Sequence, residues 1–571
     1  MTTLDRSPAA APSRAGAGTG WWAVLLVLLA LAPIGVSTLF GAFGLVRNDD
    51  WAWAEILWRW TDTGTLRLNG WPSMFLIGQL VMAWPVGRLF PDSLVALELF
   101  TIATGIIGVL ASYWTLRQLL PASRAALSTA LMLLSPLYAP LAMSFMTDVP
   151  AFAAQASCLA LGVRALHAQT APRLMLWASA AFSLGIVGFT VREYAIVAPA
   201  ALGLVLVVRS LARRARDELF AVALPGAAAL AVAFGVLSLR LGMSGSLTFK
   251  PSLASAVDGF GAHFGRSVLY TVVTLAFLVL PAFVFVPVRS WIQRIGARRW
   301  STVAAIGVLA AMMVGVLGGW RWSPPILSPY LDERGTFGTD VVPGARATLM
   351  PDLGFKVLLV VVLAASVLLV AVLAASTARV IGPATHRRAT LSDLDTRALL
   401  VMFVLGSVAA VVVVGTFDLP IFDRYLLVVS PFAAGLVLDS SSTATVTTHA
   451  RRLAQWAAVG AFALLGLAWT TDSAAFDAAR WEAGSAAVAL GVPADRIDAG
   501  FEWRNNFRAP GAIVLAPSQP DPDACVVLRV QTPDEAMPAS PTVSVPWSSL
   551  FGLRGWVVGT PVDRPDCPPL P

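Results

Sequence analysis

The sequence predicts an all-α polytopic membrane protein with a small α/β domain at its C-terminus. Of its 571 residues, 57% are hydrophobic and only 13% are charged, whereas a soluble domain has roughly 25% charged residues. Apolar runs of about 20 residues, the length that crosses a bilayer as a helix, recur along the chain as far as residue 470. Beyond that point the runs stop and acidic residues become frequent. A soluble globular protein is therefore excluded.

The first apolar run follows an N-terminal segment, residues 1–20, that is rich in Ala, Ser, Gly and Pro. We expect this segment to be a disordered cytoplasmic tail because it lacks apolar periodicity. The run at 21–45 is longer than the core of a signal peptide and has no clear cleavage site, which predicts a retained membrane anchor. In total the sequence predicts about thirteen transmembrane helices, at 21–45, 94–114, 124–141, 149–165, 173–190, 194–208, 218–238, 267–287, 301–319, 355–376, 398–415, 422–438 and 453–470.

The basic residues indicate how these helices are oriented. The net charge of +7 comes from small groups of arginines between apolar segments, a pattern typical of topology signals, so no nucleic-acid partner is expected. The more basic loops are expected to be cytoplasmic, which places the N-terminus inside and, with an odd number of helices, the C-terminus outside. Within the transmembrane domain, 21–470, the outside loops then lie near 46–93, 239–266 and 320–354. An apolar but interrupted stretch at 71–90 is expected to form a helix at the membrane interface.

Residues 471–571, here called the tail domain, have the composition of a small soluble domain outside the membrane. A helix is expected at 476–490, and short strands are expected at 525–530, 543–545 and 556–558, between Pro and Gly residues. The tail domain is therefore predicted to be an extracytoplasmic α/β unit.

The chain has three cysteines, Cys158, Cys525 and Cys567, which are too few for a disulfide scaffold and lack the spacing of a zinc or iron-sulfur site. Cys158 falls within the fourth predicted span, whereas the other two lie in the tail domain. Because an oxidising compartment permits disulfides, we predict a disulfide between Cys525 and Cys567.

Three acidic residues stand at helix ends on the predicted outer side. Asp49 and Asp50 directly follow the first span, and Asp148 stands at the outer end of the fourth. Carboxylates near a membrane are costly and are therefore candidates for function, either as a general base or as ligands of a substrate or cation. The simpler interpretation is that they begin helices as N-caps, with Pro150 in a first helical turn.

Two arginines also lie at predicted outer helix ends. Arg192 lies between two closely spaced spans, and Arg424 opens the twelfth span. A guanidinium group held there offers a planar set of donors to a phosphate. The alternative is a snorkelling arginine paired with a neighbouring acid such as Glu193. We expect the two arginines to be supported by their sequence neighbours, Glu193, Tyr194, Asp423 and Tyr425.

Taken in order, these short motifs resemble those of the integral-membrane glycosyltransferases of the GT-C fold. The matching features are the acidic pair after the first span, Thr-Asp-x-Pro, Arg-Glu-Tyr and, late in the chain, Asp-Arg-Tyr. The resemblance is greatest to the bacterial branch related to protein O-mannosyltransferases and aminoarabinose transferases, and it covers about residues 21–440. Two departures are evident: the common Asp-Glu pair is Asp49-Asp50 here, and lysine is nearly absent, so phosphate binding depends on arginine.

The resemblance implies an inverting enzyme that transfers a hexosyl or pentosyl group from a polyprenyl-phosphate carrier. The reaction is expected at the outer face of the bacterial cytoplasmic membrane, with a glycan, lipid or protein as acceptor. Carried over to this sequence, Asp49 or Asp50 is the base, Asp148 places the acceptor or a metal, and Arg192 and Arg424 bind the donor phosphate. A divalent cation is a candidate cofactor at the three aspartates.

A different class, a transporter or flippase for a lipid-linked glycan, has a similar composition. Transporters place ionisable groups near the membrane midplane, often on broken helices, whereas these acids mark helix ends on one face. A structural subunit would need no converging acids. Walker-type phosphate loops, His-Glu-x-x-His and Gly-x-Ser-x-Gly are absent from the sequence.

Overall fold

The protein, seen in a computed structural model, is a bundle of helices joined to one small sheet. The structure describes residues 19–243, 260–287, 299–317, 326–337, 341–344, 346–381, 391–439, 448–508, 514, 519, 521–538 and 541–569. The predicted N-terminal tail falls almost entirely outside these residues, as do central parts of the two loops near 239–266 and 320–354 that are predicted to lie outside the membrane.

The helices that form the bundle and its connections occur in the following order along the chain: α1 (Thr19–Leu39), α2 (Asp50–Thr63), α3 (Ile77–Leu89), α4 (Leu94–Arg117), α5 (Ala122–Leu133), α6 (Tyr138–Ala142), α7 (Asp148–Leu166), α8 (Ala171–Val191), α9 (Val197–Ala212), α10 (Arg216–Gly242), α11 (Phe260–Leu278), α12 (Arg299–Leu317), α13 (Asp352–Ile381), α14 (Leu391–Thr416), α15 (Ser430–Asp439), α16 (His449–Ala489) and α17 (Phe501–Phe507). Short 3-10 turns precede α9, follow α11 and precede α15. The predicted all-α membrane domain with a small α/β unit is confirmed.

Among the described residues, nine helical segments are long and apolar enough to cross a membrane. The run predicted at 124–141 is divided into α5 and α6, because Pro136 lies between them and cannot continue a helix. Those at 267–287 and 422–438 are each part α-helix and part 3-10 turn, with Pro281 and Pro431 near the change. The total of thirteen spans stays a prediction.

The centre of the bundle is α7, which packs against α4 and α8. Small residues allow this close approach: a Cβ atom at Gly108 of α4 would lie 2.5 Å from the ring of Phe152 on α7. Packing of small residues against large ones drives helix association where lipid removes most of the hydrophobic gain. The rigid centre fixes Asp148, the first residue of α7.

The segment predicted as the first outside loop, residues 46–93, contains two helices. A helix is present within 71–90 as α3, which continues through Pro85. α2 runs from Asp50 to Thr63, and its C-cap residue Gly64 is left-handed, with φ 69°. A helix therefore begins at the acidic pair as the simpler interpretation expects, but Asp49 at its N-cap position makes no side-chain cap bond. The placement of α3 in a membrane interface stays a prediction.

One long helix joins the bundle to the tail domain. The sequence predicted separate helices at 453–470 and 476–490, but α16 is continuous over 41 residues. No Gly or Pro interrupts residues 470–476, and the acid in this stretch, Asp472, is buried between Arg346 at 2.6 Å and Arg554 at 2.9 Å. The ion pairs compensate its burial, so the helix passes straight from one domain into the other.

The tail domain packs a four-stranded sheet against the outer part of α16. The strands are β1 (Ile497–Asp498), β2 (Val526–Gln531), β3 (Val543–Ser549) and β4 (Gly552–Pro561), in the spatial order β1-β2-β4-β3. β1 and β2 are parallel and the other pairs are antiparallel. The three expected strands are present, each longer than or close to its predicted range, and β1 is additional. The structure joins Cys525 and Cys567 in a disulfide with an S–S distance of 2.07 Å.

Candidate active site

Four segments that are far apart in sequence meet at one end of the bundle, here called the cavity end. They are the α1–α2 turn with Asp49, the start of α7 with Asp148, the turn after α8 with Arg192, and the 3-10 turn before α15 with Arg424. The tail domain covers the same end. Residues from the bundle and from the tail domain therefore surround a common space.

Asp148 lies between the two arginines. Its Oδ2 atom is 3.2 Å from an Arg192 guanidinium nitrogen and 3.9 Å from Arg424 Nε. Its Oδ1 atom accepts a hydrogen bond of 3.3 Å from the Tyr194 hydroxyl. Arg192 Nε also donates to Thr147 Oγ1 at 2.5 Å. Since Asp148 is 1% exposed, its main effect is to hold and partly neutralise the two buried cations.

This arrangement differs from both simple expectations for these residues. Thr147 occupies the N-cap position of α7 but makes no side-chain cap bond, because its hydroxyl accepts from Arg192 instead. Arg192 makes its side-chain ion pair with Asp148 and not with the adjacent Glu193. Its guanidinium carbon also lies 5.9 Å and 5.6 Å from the ring centres of Tyr194 and Tyr425.

Asp49 faces the open space. Its Oδ1 atom accepts a hydrogen bond of 2.8 Å from the Trp71 indole nitrogen, and Asp49 lines the cavity together with Arg192 and Arg424. Burial raises the pKa of the Asp49 carboxyl above its ordinary value, while Arg424, the indole hydrogen bond and Arg192 oppose that change. A carboxylate with a raised pKa is a better proton acceptor, which is what a general base requires.

Asp50, the other member of the acidic pair, faces away from that space. Its side chain is fully buried, and Oδ1 accepts a hydrogen bond of 2.7 Å from the backbone nitrogen of Arg47. Asp50 does not line the cavity, and burial raises the pKa of its carboxyl well above the ordinary value. The two adjacent aspartates thus have different environments, and only Asp49 is in a position to reach a substrate.

The cavity has a volume of 1190 Å³, larger than the roughly 300–1,000 Å³ of a common small-molecule pocket. One part of its wall is apolar and is formed by Val411, Val414, Leu419 and Phe422. Another part carries polar groups of the tail domain, namely Asp498, Glu502 and Arg504. The cavity lining therefore suits a ligand with one apolar and one polar portion.

The predicted supporting residues divide into two groups. Glu193, Tyr194 and Tyr425 line the cavity, and the last two rings pack with centres 5.3 Å apart. Asp423 is buried and accepts hydrogen bonds from the backbone nitrogens of Leu331, at 2.6 Å, and Arg424, at 2.7 Å. Asp423 thus fastens the loop at 326–337 beside the site and does not face the cavity.

The three predicted aspartates do not suit a shared metal ion. Asp148 already binds two arginines and a tyrosine hydroxyl, and Asp50 faces the backbone of Arg47. Over the described ranges, no group of three or more His, Cys, Asp and Glu side chains lies together in a way that suits a metal. The charge opposite Asp49 is supplied by guanidinium groups.

Several residues around the site were not identified from the sequence. Trp71 holds Asp49, Tyr330 accepts a hydrogen bond of 2.6 Å from the Asn48 side chain, and Glu502 accepts one of 3.0 Å from the Asn48 backbone. Tyr330 and Glu502 lie 282 and 454 positions from Asn48 in sequence, and none of the three residues belongs to a recognisable motif. No local signal in the sequence indicates these contacts.

Comparison with known proteins relates part of this architecture to a family. Residues 79–238 match the family model described as dolichyl-phosphate-mannose-protein mannosyltransferase. This segment contains Asp148 and Arg192 but not Asp49 or Arg424. The match confirms the resemblance to the protein O-mannosyltransferases for this segment of a polytopic membrane protein.

Solved structures of membrane glycosyltransferases are also similar to the chain. ArnT from Cupriavidus metallidurans bound to undecaprenyl phosphate is 16% identical, with a TM-score of 0.39, and the match covers 95% of this chain and 98% of that one. The oligosaccharyltransferase of Archaeoglobus fulgidus in complex with zinc and sulfate is 15% identical, with a TM-score of 0.45, over 81% of this chain and 55% of that one. No curated protein sequence matches the chain. At these values no residue role transfers from the solved structures.

Proposed function

We propose that the protein is an inverting glycosyltransferase that uses a polyprenyl-phosphate sugar as donor, with Asp49 as the general base. The observation that carries the proposal is that Asp49 and two buried arginines face one large cavity whose wall is partly apolar. The family model matched by residues 79–238 is described by a lipid-phosphate-linked mannose donor, which supports the same donor class. The acceptor is a hydroxyl group of a glycan, a lipid or a protein.

The reaction is a single displacement at the anomeric carbon of the donor sugar. The acceptor oxygen forms a bond to that carbon from the side opposite the phosphate, and Asp49 takes the hydroxyl proton. The bond between the carbon and the phosphate oxygen breaks, and the oxygen keeps the electron pair. The products are the glycosylated acceptor and polyprenyl phosphate. A single displacement inverts the configuration and needs no enzyme nucleophile.

Arg192 and Arg424 stabilise the leaving phosphate. Negative charge grows on the departing oxygen, and guanidinium groups already fixed beside it stabilise that charge without reorganising. Asp148 acts here as a positioning residue, because it pairs with both guanidinium groups and does not itself line the cavity. Without Asp148 the two like charges would repel each other in a buried site.

The apolar wall supports a lipid-linked donor over a nucleotide sugar. Val411, Val414 and Leu419 lie at the end of α14 and just beyond it, so an isoprenoid chain beside them would leave its phosphate near Arg424. We place this site at the outer face of a bacterial cytoplasmic membrane, with the tail domain outside the cytoplasm. A lipid carrier reaches such a site by diffusing in the bilayer, whereas nucleotide sugars are cytoplasmic.

Reconstitution of the purified full chain tests this proposal. Proteoliposomes are supplied with polyprenyl-phosphate sugars or with nucleotide sugars, together with membrane lipids, glycans or peptides as acceptors. The expected result is release of polyprenyl phosphate and an inverted glycosidic product with a lipid-linked donor only. Turnover with nucleotide sugars alone would contradict the donor class, and movement of the lipid-linked sugar across the bilayer without transfer would favour a flippase.

A further inference from the structure

The turn that carries Asp49 is held in place by residues from three distant parts of the chain. It comprises Arg47, Asn48, Asp49 and Asp50, and it is closed by a hydrogen bond of 3.2 Å from the Asp50 nitrogen to the Arg47 oxygen. Asn48 has a φ of 54°, in the left-handed region, which asparagine adopts more readily than most residues other than glycine. The contacts around Asn48 therefore determine how firmly the turn is held.

The tail domain supplies one of these fixing contacts through Glu502. Its Oε1 atom accepts a hydrogen bond of 3.0 Å from the backbone nitrogen of Asn48. Its Oε2 atom accepts one of 2.6 Å from Arg480, a fully buried side chain of α16. Glu502 is itself 2% exposed. The carboxylate therefore links the long helix to the residue next to Asp49.

Side-chain contacts of Asn48 and Arg47 also fix the turn. The Asn48 amide donates to the Tyr330 hydroxyl at 2.6 Å. Arg47 donates to Ser37 Oγ of α1 at 2.7 Å and lies 3.5 Å from Asp477 of α16. Because the side chains on either side of Asp49 are buried and bonded, the turn has little freedom to rotate, and Asp49 is left facing the cavity.

We propose that Glu502 is a positioning residue, through which docking of the tail domain fixes the α1–α2 turn and aims Asp49 into the cavity. The inference rests on the proposed function of Asp49 as a general base. It assigns to the tail domain a direct part in assembling the catalytic site. Small displacements of a catalytic group cost large factors in rate, up to about 100-fold for 1 Å, so a loosened turn is expected to slow the transfer step.

The first test measures steady-state transfer by the full chain with Glu502→Ala. We expect kcat to fall about tenfold or more while the donor KM stays within about twofold, because Arg192 and Arg424 are untouched. Glu502→Gln keeps an oxygen that accepts from Asn48 and is expected to restore most of the rate. Tyr330→Phe removes the hydroxyl that accepts from the Asn48 side chain and is also expected to lower kcat. Because the same hydroxyl bonds Arg424, a rise in donor KM is expected in this variant and not in Glu502→Ala.

The matched control is Asp472→Asn. Asp472 is also a buried carboxylate of α16 paired with arginines, but its partners are Arg346 and Arg554, outside the turn. This variant is expected to lower the melting temperature and leave the kcat of folded enzyme unchanged. Equal losses of kcat in Asp472→Asn and Glu502→Ala would show a merely structural role and overturn the proposal, as would an unchanged kcat in Glu502→Ala.

The pH profile gives a readout that loss of folding does not move. The charged groups that affect Asp49 are Arg424, Arg192 and Asp148, and Trp71 is its hydrogen-bond donor. Burial is the largest cause of the raised pKa of Asp49. A loosened turn admits water, so the acid limb of kcat is expected at lower pH in Glu502→Ala and at the wild-type pH in Asp472→Asn.

A second test needs no enzymatic activity and separates failure of this inference from failure of the proposed function. In Asp49→Cys the new thiol has no competitor, because Cys158 is buried and the other two cysteines form a disulfide. Labelling with a bulky maleimide is expected to be at least about fivefold faster when Glu502→Ala is added. It is expected to stay unchanged when Asp472→Asn is added. Equal rates with and without Glu502 would overturn the positioning role even if wild-type enzyme transfers no sugar.

Discussion

The two ends of the helix bundle use the same charged residue types in opposite ways. At the cavity end, two buried arginines share one aspartate, Asp148, and face a space of 1190 Å³. At the other end, here called the basic end, Arg397 donates to both carboxylate oxygens of Asp439, at 2.9 and 3.1 Å. Arg379 lies 3.9 Å from the same aspartate.

The difference lies in what the charges leave available. At the basic end the ion pairs are partly buried and join α13, α14 and α15 to one another, so their effect is expected to be on stability. At the cavity end the two guanidinium groups are desolvated, share Asp148 as their ion-pair partner and line an open space. Guanidinium groups that line a cavity can bind a phosphate through several hydrogen bonds, and this is the basis for proposing an anionic ligand at this end.

The sharpest test of this comparison is Asp49→Asn. Asparagine nearly preserves the shape and the acceptor for Trp71 but cannot take a proton, so kcat is expected to fall by about 100-fold or more. Asp50→Asn is the matched control, because Asp50 lies away from the cavity and asparagine keeps an oxygen that accepts from the Arg47 nitrogen of the turn. Its kcat is expected to stay within about threefold of wild type. Both are measured as initial rates of transfer, and full activity of Asp49→Asn would refute the base assignment.

The pH dependence of kcat is the next largest effect. The base must be deprotonated, so kcat is expected to rise with pH and to level off above the pKa of Asp49. Because burial raises that pKa, kcat is expected to begin to fall at a pH above the pKa of an ordinary aspartate. Below that point kcat is expected to fall about tenfold per pH unit. Transfer is measured from pH 4 to 9 after each pH is shown to leave the protein folded. A flat profile down to pH 4 would contradict a buried carboxylate base.

Arg192→Lys is expected to have a smaller effect. Lysine keeps the charge but loses the planar donor set that binds Thr147, Asp148 and a phosphate together. The donor KM is expected to rise about tenfold, which corresponds to about 1.4 kcal/mol. Arg397→Lys at the basic end is the control and should leave KM unchanged. An equal KM for Arg192→Lys and wild type would remove Arg192 from donor binding.

How far the sequence predicts this architecture depends on the range of the contacts. Apolar runs and charge bias predict the bundle, because each span has to satisfy its own backbone within a membrane. They do not predict which of Asp49 and Asp50 faces the cavity, since one helical position rotates a side chain by about 100°. The contact of Glu502 with Asn48 joins residues 454 positions apart and depends on tertiary packing alone.

Contacts distant in sequence also explain why α16 is one helix and not the two that the sequence predicts. A window of sequence around Asp472 contains Thr470, Thr471 and Ser473 and has the polarity of a connection between two helices. The helix continues because Arg346 and Arg554 arrive from a loop and from β4 to pair with Asp472. Neither arginine is near Asp472 in sequence. The prediction that a helix ends where the apolar character is interrupted is therefore wrong for α16.

The smallest expected effect on activity belongs to Asp439→Asn at the basic end. Asparagine cannot balance Arg397 and Arg379, and the partly buried pair loses its charge-assisted bonds, so the free energy of unfolding is expected to fall by about 1–3 kcal/mol. The kcat and donor KM of the folded enzyme are expected to stay at wild-type values, because Asp439 and its partners lie at the end of the bundle away from Arg424. Thermal denaturation in detergent measures the first quantity, and transfer normalised to folded protein measures the second. A tenfold loss of kcat in folded Asp439→Asn enzyme would mean that the two ends are coupled through α15, and the separation of roles between them would have to be abandoned.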